Sequence, residues 1–455
     1  MKARLPKKSL AVVTMAVLTL TACGGGEENS PEEAADFKKE ATGTLSAWAF
    51  DNADDVGKAR MDYAASQMPD VKITMDETSF DAQKFTTRAA SGDVPDVVQM
   101  DRAFVATYAA KGLIKPLDGC FKAHEMDPAE QFYPAVTEQV TYQDKIWAVP
   151  QFYQPAAIIT NPAVLEPAGV SAEDIDTSDK DKLLAAIAKT YKAKGGTPGT
   201  LGFDPVAGGQ GELWLLGQGG KLMDDDGAPA LDDPANVEAV NFLKEIYDAQ
   251  GGYAKAKSFS DSFDTFGKDN QFAKNQVGAQ VNAQWYVNVL TSANPDVKIG
   301  ATPFKDKEGK PFTVAGGTSF VIPAGAKNAD AACAWMTALV NDDAWEAAGK
   351  ARAEKIASKP GAVNTGLFTG SPSADKLVRE QFVKPSGNAG LDQTIGTFYD
   401  VLPEGKSLGA SPAGQAIKTE LNNAIASALL GTKPAEQALK DAQAAAKRAF
   451  DQSGS

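Results

Sequence analysis

Leu45-Ser46-Ala47-Trp48-Ala49-Phe50, Val71-Lys72-Ile73-Thr74-Met75 and Val97-Val98-Gln99-Met100 are short apolar or alternating runs, and between them Ala53 to Met68 and Ala82 to Ala90 carry apolar residues at helical spacing. Strands separated by amphipathic helical segments are the signature of βαβ units, in which the strands lie parallel in one sheet. The same style returns downstream. Ala156-Ala157-Ile158-Ile159-Thr160 and Val277 to Val281 read as strands, Lys180 to Ala193 and Val237 to Ala249 as helices. A chain of 455 residues with 43% hydrophobic content is long for one core, so an α/β architecture of two lobes is expected. Pro412 to Leu430 and Pro434 to Phe450 are Ala-rich, keep helical apolar spacing and open with proline, which predicts two surface-packed helices closing the chain. No repeat of about 20 to 50 residues recurs, so a solenoid or propeller is not indicated. In open α/β sheets ligands bind beyond the carboxyl ends of the strands, which draws attention to Asp51, Asn52, Glu77, Asp101 and Arg102.

The chain begins with Lys2, Arg4, Lys7 and Lys8, continues with an apolar run from Leu10 to Leu20, and reaches Leu20-Thr21-Ala22-Cys23. A basic start, a short apolar stretch and a small-residue processing site form an export signal, and the stretch is too short to span a bilayer. Leu20-Thr21-Ala22-Cys23 is similar to a bacterial lipobox, which implies cleavage before Cys23 and lipidation of its sulfur. The mature chain is then tethered to the outer face of the cell membrane. Residues 1–22 are read as signal peptide and 23–42 as a Gly-rich, polar tether.

Losing the four positive charges of the signal moves the formal net charge from −14 to about −18. Such a polyanion argues against nucleic-acid binding. Cys120 and Cys333 are the remaining thiols. An oxidising exterior permits them to pair, and two separately buried thiols fit the sequence equally well. With His124 as the only histidine there is no His-Glu-x-x-His zinc site, and no Gly-x-Ser-x-Gly elbow occurs. Gly405-Lys406-Ser407 lacks the first glycine of a phosphate-binding loop, since Asp400 stands there. Asp224-Asp225-Asp226-Gly227 lacks the spaced ligands of a calcium loop. No metal and no cofactor are expected.

Four segments in order carry a resemblance. The first is Ser91-Gly92-Asp93-Val94-Pro95-Asp96-Val97-Val98, followed by Asp101-Arg102 and Tyr108 to Asp118. The second is Asp144-Lys145-Ile146-Trp147-Ala148-Val149-Pro150 with Gln154 and Ile158-Ile159-Thr160-Asn161. The third runs from Leu201-Gly202-Phe203-Asp204 through Gly208-Gly209-Gln210-Gly211 to Trp214 and Gly219-Gly220. The fourth is Phe272 to Trp285, and Gly316-Gly317-Thr318-Ser319-Phe320-Val321-Ile322-Pro323 follows as a return segment. Together they resemble the carbohydrate-binding extracellular solute-binding proteins, the group that includes maltose-binding protein. The resemblance implies a two-lobed periplasmic-binding-protein-like fold, each lobe a mixed sheet flanked by helices, with the ligand cleft at the hinge. It also implies lobe 1 at 43–153 and 314–372, and lobe 2 at 154–313 and 373–455. A carbohydrate ligand, ABC-transporter permease subunits as partners and a monomer are implied as well. Two departures stand out: Gln154 is neutral where some relatives are acidic, and the region before Tyr399 lacks a tryptophan found in the maltose-binding member.

A pyranose has an apolar C–H face and a rim of hydroxyls, so its site needs flat aromatic surfaces and planar hydrogen-bonding groups. Trp48, Trp214 and Trp285 are the stacking candidates, each beside polar partners: Asp51 with Asn52, Gln210 with Glu212, and Asn282 with Gln284. Glu77, Asp101, Arg102, Tyr153, Gln154, Gly317 and Tyr399 complete the expected ligand-binding set. Against this, a tryptophan inside a strand is often core, and a strand-end aspartate often only caps the next helix. Two lobes closing about a hinge on a shared ligand supply the mechanism. The rival readings are an extracellular glycoside hydrolase working through paired carboxylates and a binding protein for a non-sugar solute.

Overall fold

The structure is a computed structural model that describes residues 36–50, 54–207, 210–359 and 362–453. Cys23, and with it the expected signal and lipidation site, lies outside the described residues, as do Asp51 and Asn52. Among the described residues no helix is long and apolar enough to cross a membrane.

A five-stranded sheet has the order Val71–Asp76, Gly43–Trp48, Val97–Asp101, Thr318–Val321, Val149–Pro150. The first three strands are parallel, with Leu45 opposite Ile73 and Trp48 opposite Val98. Thr318–Val321, more than 200 residues later, inserts antiparallel beside Val97–Asp101, placing Phe320 opposite Gln99. The βαβ reading therefore holds for the first three strands and fails for the rest, because a strand arriving from a distant segment carries no crossover helix to mark it. The intervening helices are set by side-chain caps. Asp54 accepts from Gly57 N (2.8 Å) to start Asp55–Ser66, and Asp81 accepts from Lys84 N (2.6 Å) to start Ala82–Ser91. Gly92, at φ +73°, ends the latter in the left-handed conformation that a side chain would resist.

The second sheet is antiparallel throughout: Ala279–Ala283, Ala156–Thr160, Gly300–Thr302, with Ile159 opposite Gln280 and Ala157 opposite Asn282. The helix Ala389–Asp400 packs against it, while Pro234–Asp248 packs with the closing pair Gly414–Leu429 and Ala435–Ser453, which also pack on each other. The molecule has the two-lobed α/β architecture.

The sheets are joined where 151–155 runs beside 313–318. Gln151 N donates to Thr318 O (3.0 Å), Gln154 N to Gly316 O (2.9 Å), and Tyr153 N to Phe368 O (3.1 Å). The Pro372–Phe382 helix still packs against Asp342–Ala357. We propose that the last passage into the second lobe follows Phe382 rather than residue 372.

Cys120 and Cys333 form a disulfide, Cα–Cα 5.7 Å, between the Asp118–Ala123 helix and the Ala329–Val340 helix. Both cysteines are fully buried.

Beside these crossing segments Asp375 is buried, its Oδ1 accepting from Thr369 N at 2.7 Å, with the Tyr133, Tyr153 and Tyr399 rings around it. Burial pushes its pKa up to about 7. A carboxyl neutral in the fold and ionised in the open chain contributes stability that is complete below its unfolded value. That stability is lost as pH rises through the folded one. Asp375→Asn should therefore match the wild type in urea midpoint near pH 3, below the ordinary carboxylate value of 3.8, and exceed it at pH 8. Parallel midpoints at both pH values would show that the carboxyl does not titrate in the fold.

Candidate functional site

The strand Ala279–Ala283 sends alternate side chains to opposite faces, so Gln280 and Asn282 share one face. That face forms part of a cavity of about 520 Å³, completed by Asp204, Tyr247, Tyr253, Phe266, Trp285 and Asn422 among others. Its floor is a chain of hydrogen bonds. Gln280 Nε2 donates to Asp204 Oδ2 (3.0 Å), and Gln280 Oε1 accepts from both Gln271 Nε2 (2.8 Å) and Asn282 Nδ2 (2.9 Å). Gln271 Nε2 also donates to Tyr286 Oη (2.8 Å), whose hydroxyl donates to Thr265 O (2.9 Å). Such a network fixes the orientation of each amide before any ligand arrives. Burial raises the pKa of Asp204 and that of Tyr247 beside it.

Trp285 begins the helix Trp285–Ala293 directly after the strand and is 37% exposed, with its ring on this cavity. It also lines a neighbouring cavity of about 460 Å³ together with Asp54, Asn288, Arg352 and Lys359.

A smaller space of about 80 Å³ lies between residues 101–106 and 408–418, lined by Asp101, Arg102, Gln139, Glu212, Gly316 and Lys418 among others. Here buried polar atoms stand open. Gln139 Nε2 and Glu212 Oε2 have no hydrogen-bond partner among the described residues, and the same is true of Gln210 Oε1 at the start of the Gly211–Gly217 helix. Burial raises the pKa of Glu212, with Lys418 acting in the opposite sense. An unmet buried donor or acceptor costs about 1–3 kcal/mol, so a polar group reaching these atoms would be stabilised there. A fourth cavity of about 530 Å³, around Lys39, His124 and Asn341, holds none of the sequence-predicted residues.

Several expected ligand residues are structural instead. Trp214 is fully buried, donates Nε1–H to Pro205 O (2.8 Å) and packs edge-on to Phe242 and Phe304; it shares no groove with Trp285. The cause is legible afterwards: Leu213-Trp214-Leu215-Leu216 is apolar all round, the mark of a buried helix. Trp48 is also fully buried, its indole N–H bonded to Thr78 Oγ1 (3.1 Å) and Lys84 over its ring. Tyr153 is buried with its hydroxyl on Leu402 O (3.3 Å), and Tyr399 stacks on Phe368 with its hydroxyl on Leu367 O (3.1 Å).

Arg102 borders the small cavity but its guanidinium is spent on the crossing segments: Nη1 on Phe152 O (2.7 Å) and Thr318 O (3.0 Å), Nη2 on Ala315 O (2.7 Å), Nε on Gln139 Oε1 (3.1 Å). It clasps the two strands that join the lobes. Gly317, at φ +151°, has no room for a Cβ, which would meet Phe152 O and the Arg102 guanidinium. Asp101 is exposed and caps the turn after its strand, accepting from Ala103 N (2.8 Å), as the simpler reading of a strand-end aspartate had it. Glu77 is exposed and borders none of these cavities; Gln154 is exposed beside the crossing segments.

Of the expected set, the structure brings Asn282 and Trp285 to one cavity, and Asp101 and Arg102 to another. Outside the expected ligand-binding set, Asp204, Gln280 and Phe266 line the first of these cavities, and Gln139, Lys418 and Glu212, the last expected only as a polar neighbour of Trp214, line the second. Gln280 could have been found, because two amides at alternate positions of an otherwise apolar strand share a face and need a reason to be buried. Nothing in the sequence singles out Phe266.

The family model for bacterial extracellular solute-binding protein matches residues 51–344. The chain is 24% identical over 349 residues to the diacetylchitobiose binding protein DasA of Streptomyces coelicolor, covering 74% of this chain and 78% of that protein. It is 23% identical to a maltooligosaccharide ABC transporter solute-binding lipoprotein of Streptococcus pneumoniae, covering 73% and 75%. Among solved structures, CpMnBP1 with mannobiose bound superposes with a TM-score of 0.70 at 23% identity, over 89% of this chain and 99% of that one. With a match across well over half of its length, this chain belongs to the bacterial extracellular solute-binding protein family.

Proposed function

We propose that the protein captures an oligosaccharide and delivers it to the permease subunits of an ABC importer, as a monomer held at the outer face of the cell membrane through a lipid on Cys23. The observation that carries the ligand class is Trp285, a half-open indole face set at the mouth of a cavity floored by Asp204, Gln280 and Asn282. A flat ring beside fixed planar hydrogen-bonding groups matches a sugar's C–H face and hydroxyl rim. Glu212 Oε2 and Gln210 Oε1 supply further acceptors for hydroxyl hydrogens, and Gln139 Nε2 a donor. The names of the relatives point the same way, each being named for or solved with a di- or oligosaccharide. Closure about the 151–155 and 313–318 segments, which Arg102 holds together, would enclose the sugar. The closed surface is what the permease would recognise. The reading is capture without turnover.

The test is titration with mannobiose, maltotriose and diacetylchitobiose, with the mixture analysed for products. Saturable binding and intact sugar are expected. Release of monosaccharide would replace the receptor with a hydrolase, and no binding to any of the three would remove the oligosaccharide.

The protein carries its own reporter. Of six tryptophans, Trp285 is 37% exposed and the others are 9% or less. Bound sugar should therefore shift tryptophan emission to the blue and protect it from acrylamide, and both changes should vanish in Trp285→Phe. Binding heat with unchanged emission would place the sugar away from this ring.

A further inference from the structure

A further cavity of about 540 Å³ draws its walls from distant parts of the chain: Glu138 and Asp144 on one side, Asp224, Asp225 and Asp226 with Lys221 on the other. Residues 222–223 and 408–410 line both this cavity and the small space that holds Gln139 and Glu212, so the two adjoin. Five carboxylates against one ammonium leave the lining with a net charge of −4. Elsewhere the protein pairs its sheltered acids, Asp55 with Arg352, Asp176 with Lys305 and Asp306 with Lys406. None of these five is ion-paired among the described residues. Nor are they gathered for a metal ion, since no group of three His, Cys, Asp or Glu that could hold one occurs among the described residues. In the adjoining space Glu212 is 8% exposed and its Oε2 has no partner. A hydroxyl hydrogen satisfies such an oxygen as an acceptor and leaves its charge unmatched.

Resting on the oligosaccharide reading above, we propose that the ligand is an oligosaccharide with free amino groups, whose ammonium charges this acidic groove and Glu212 attract and hold. A cleft lined by one sign of charge between low-dielectric walls concentrates ions of the opposite sign and speeds their encounter. The same charges bear on closure. Residues 138–144 precede the first crossing segment and 221–226 follow it, so the two acidic walls approach each other as the halves close about 151–155 and 313–318. In the free protein that approach is opposed by repulsion, and a neutral sugar leaves the repulsion in place. A chain of amino sugars removes it, with positive charges spread along the groove rather than focused at one point. That is the differential interaction through which a ligand shifts a protein from open to closed. At Glu212 an ammonium makes a charge-assisted hydrogen bond, roughly twice as strong as a neutral one.

The experiment is calorimetric titration of the full chain at about pH 6, where a sugar amine is protonated. The probes are chitobiose and chitotriose, whose amines are free, and the N-acetylated forms of the same two sugars, each at about 50 and about 500 mM sodium chloride. At low salt the wild type should bind the amino forms roughly ten-fold tighter than the acetylated ones, and high salt should narrow the gap. Substituting Glu138→Gln, Asp225→Asn and Asp226→Asn together replaces three exposed carboxylates by amides of the same shape, and should bring the two forms within about two-fold of each other. Asp224 is kept, because its Oδ1 holds its own turn by accepting from Asp226 N (3.1 Å) and Ala228 N (2.8 Å). A wild type that binds neutral sugars as tightly as the amino forms, or binds neutral sugars alone, overturns the proposal and leaves the receptor reading intact. A preference for the amino forms that survives both high salt and the triple substitution overturns it too, since the groove would then not be its source. A wild type that binds neither form, nor mannobiose, nor maltotriose, removes the oligosaccharide reading and this inference with it.

Discussion

Trp285→Ala should weaken oligosaccharide binding by about 2 kcal/mol or more, at least thirty-fold in Kd, while the protein keeps its fold. The size follows from what the indole offers. A large flat surface is already ordered by the edge-on contact with Tyr286, so the ligand gains contact area with little loss of side-chain freedom. The polar floor adds to this, because Gln280 and Asn282 are held by Asp204 and Gln271 and do not reorient when sugar binds. Stability is spared because Trp285, unlike Trp214, is not part of the core, and removing a half-exposed ring leaves no sealed cavity. Trp285→Phe should recover most of the lost affinity if stacking is the contribution, and little if the indole N–H is what the sugar needs. Titration of the two variants beside the wild type, with melting curves to confirm the fold, decides the matter. An alanine variant with wild-type affinity would move the site out of this cavity.

The sequence exposed the architecture more readily than the site, and the reason is physical. Lobes are made by many residues in register, so the strand run at Leu45 to Phe50 and the helical spacing from Ala82 each repeat a periodic signal. Both appear in the structure within a few residues, as Gly43–Trp48 and Ala82–Ser91. A binding residue carries no period. Trp48, Trp214 and Trp285 all have polar neighbours in the chain, and only the fold separates the indole buried under Phe304 from the one left on a cavity wall. Arg102 illustrates the same limit from the other side. It lies at a strand end, where a ligand residue is expected, yet its donors are consumed by Phe152, Ala315 and Thr318, carbonyls that are 50 to 216 residues away in the chain. Long-range partners decide whether a polar group is free, and they are invisible to local reading. The antiparallel Thr318–Val321 strand escaped the βαβ pattern for the same reason.

Long-range closure also sets the second large effect: replacing both Cys120 and Cys333 by alanine should cost about 5 kcal/mol of stability and leave sugar affinity within about two-fold. The bridge closes a loop of 213 residues, and the chain entropy that it removes from the unfolded state grows with the logarithm of that length. It ties the Asp118–Ala123 helix to the Ala329–Val340 helix, so the late-arriving segment that inserts Thr318–Val321 into the first sheet is covalently held to the early one. An exported chain meets the oxidising conditions such a bond requires, and lipidation of Cys23, as proposed, leaves these two thiols with only each other. Neither cysteine lines the cavities near Trp285, which is why affinity should persist at temperatures where the variant remains folded. The measurement is the unfolding midpoint with and without reductant. Dithiothreitol should lower the wild-type midpoint by roughly ten degrees once the buried bond becomes accessible, and should not move that of the double variant. A double variant as stable as the oxidised wild type would mean that the sulfurs sit side by side without bonding, and that packing of the Ala329–Val340 helix alone holds the two segments together.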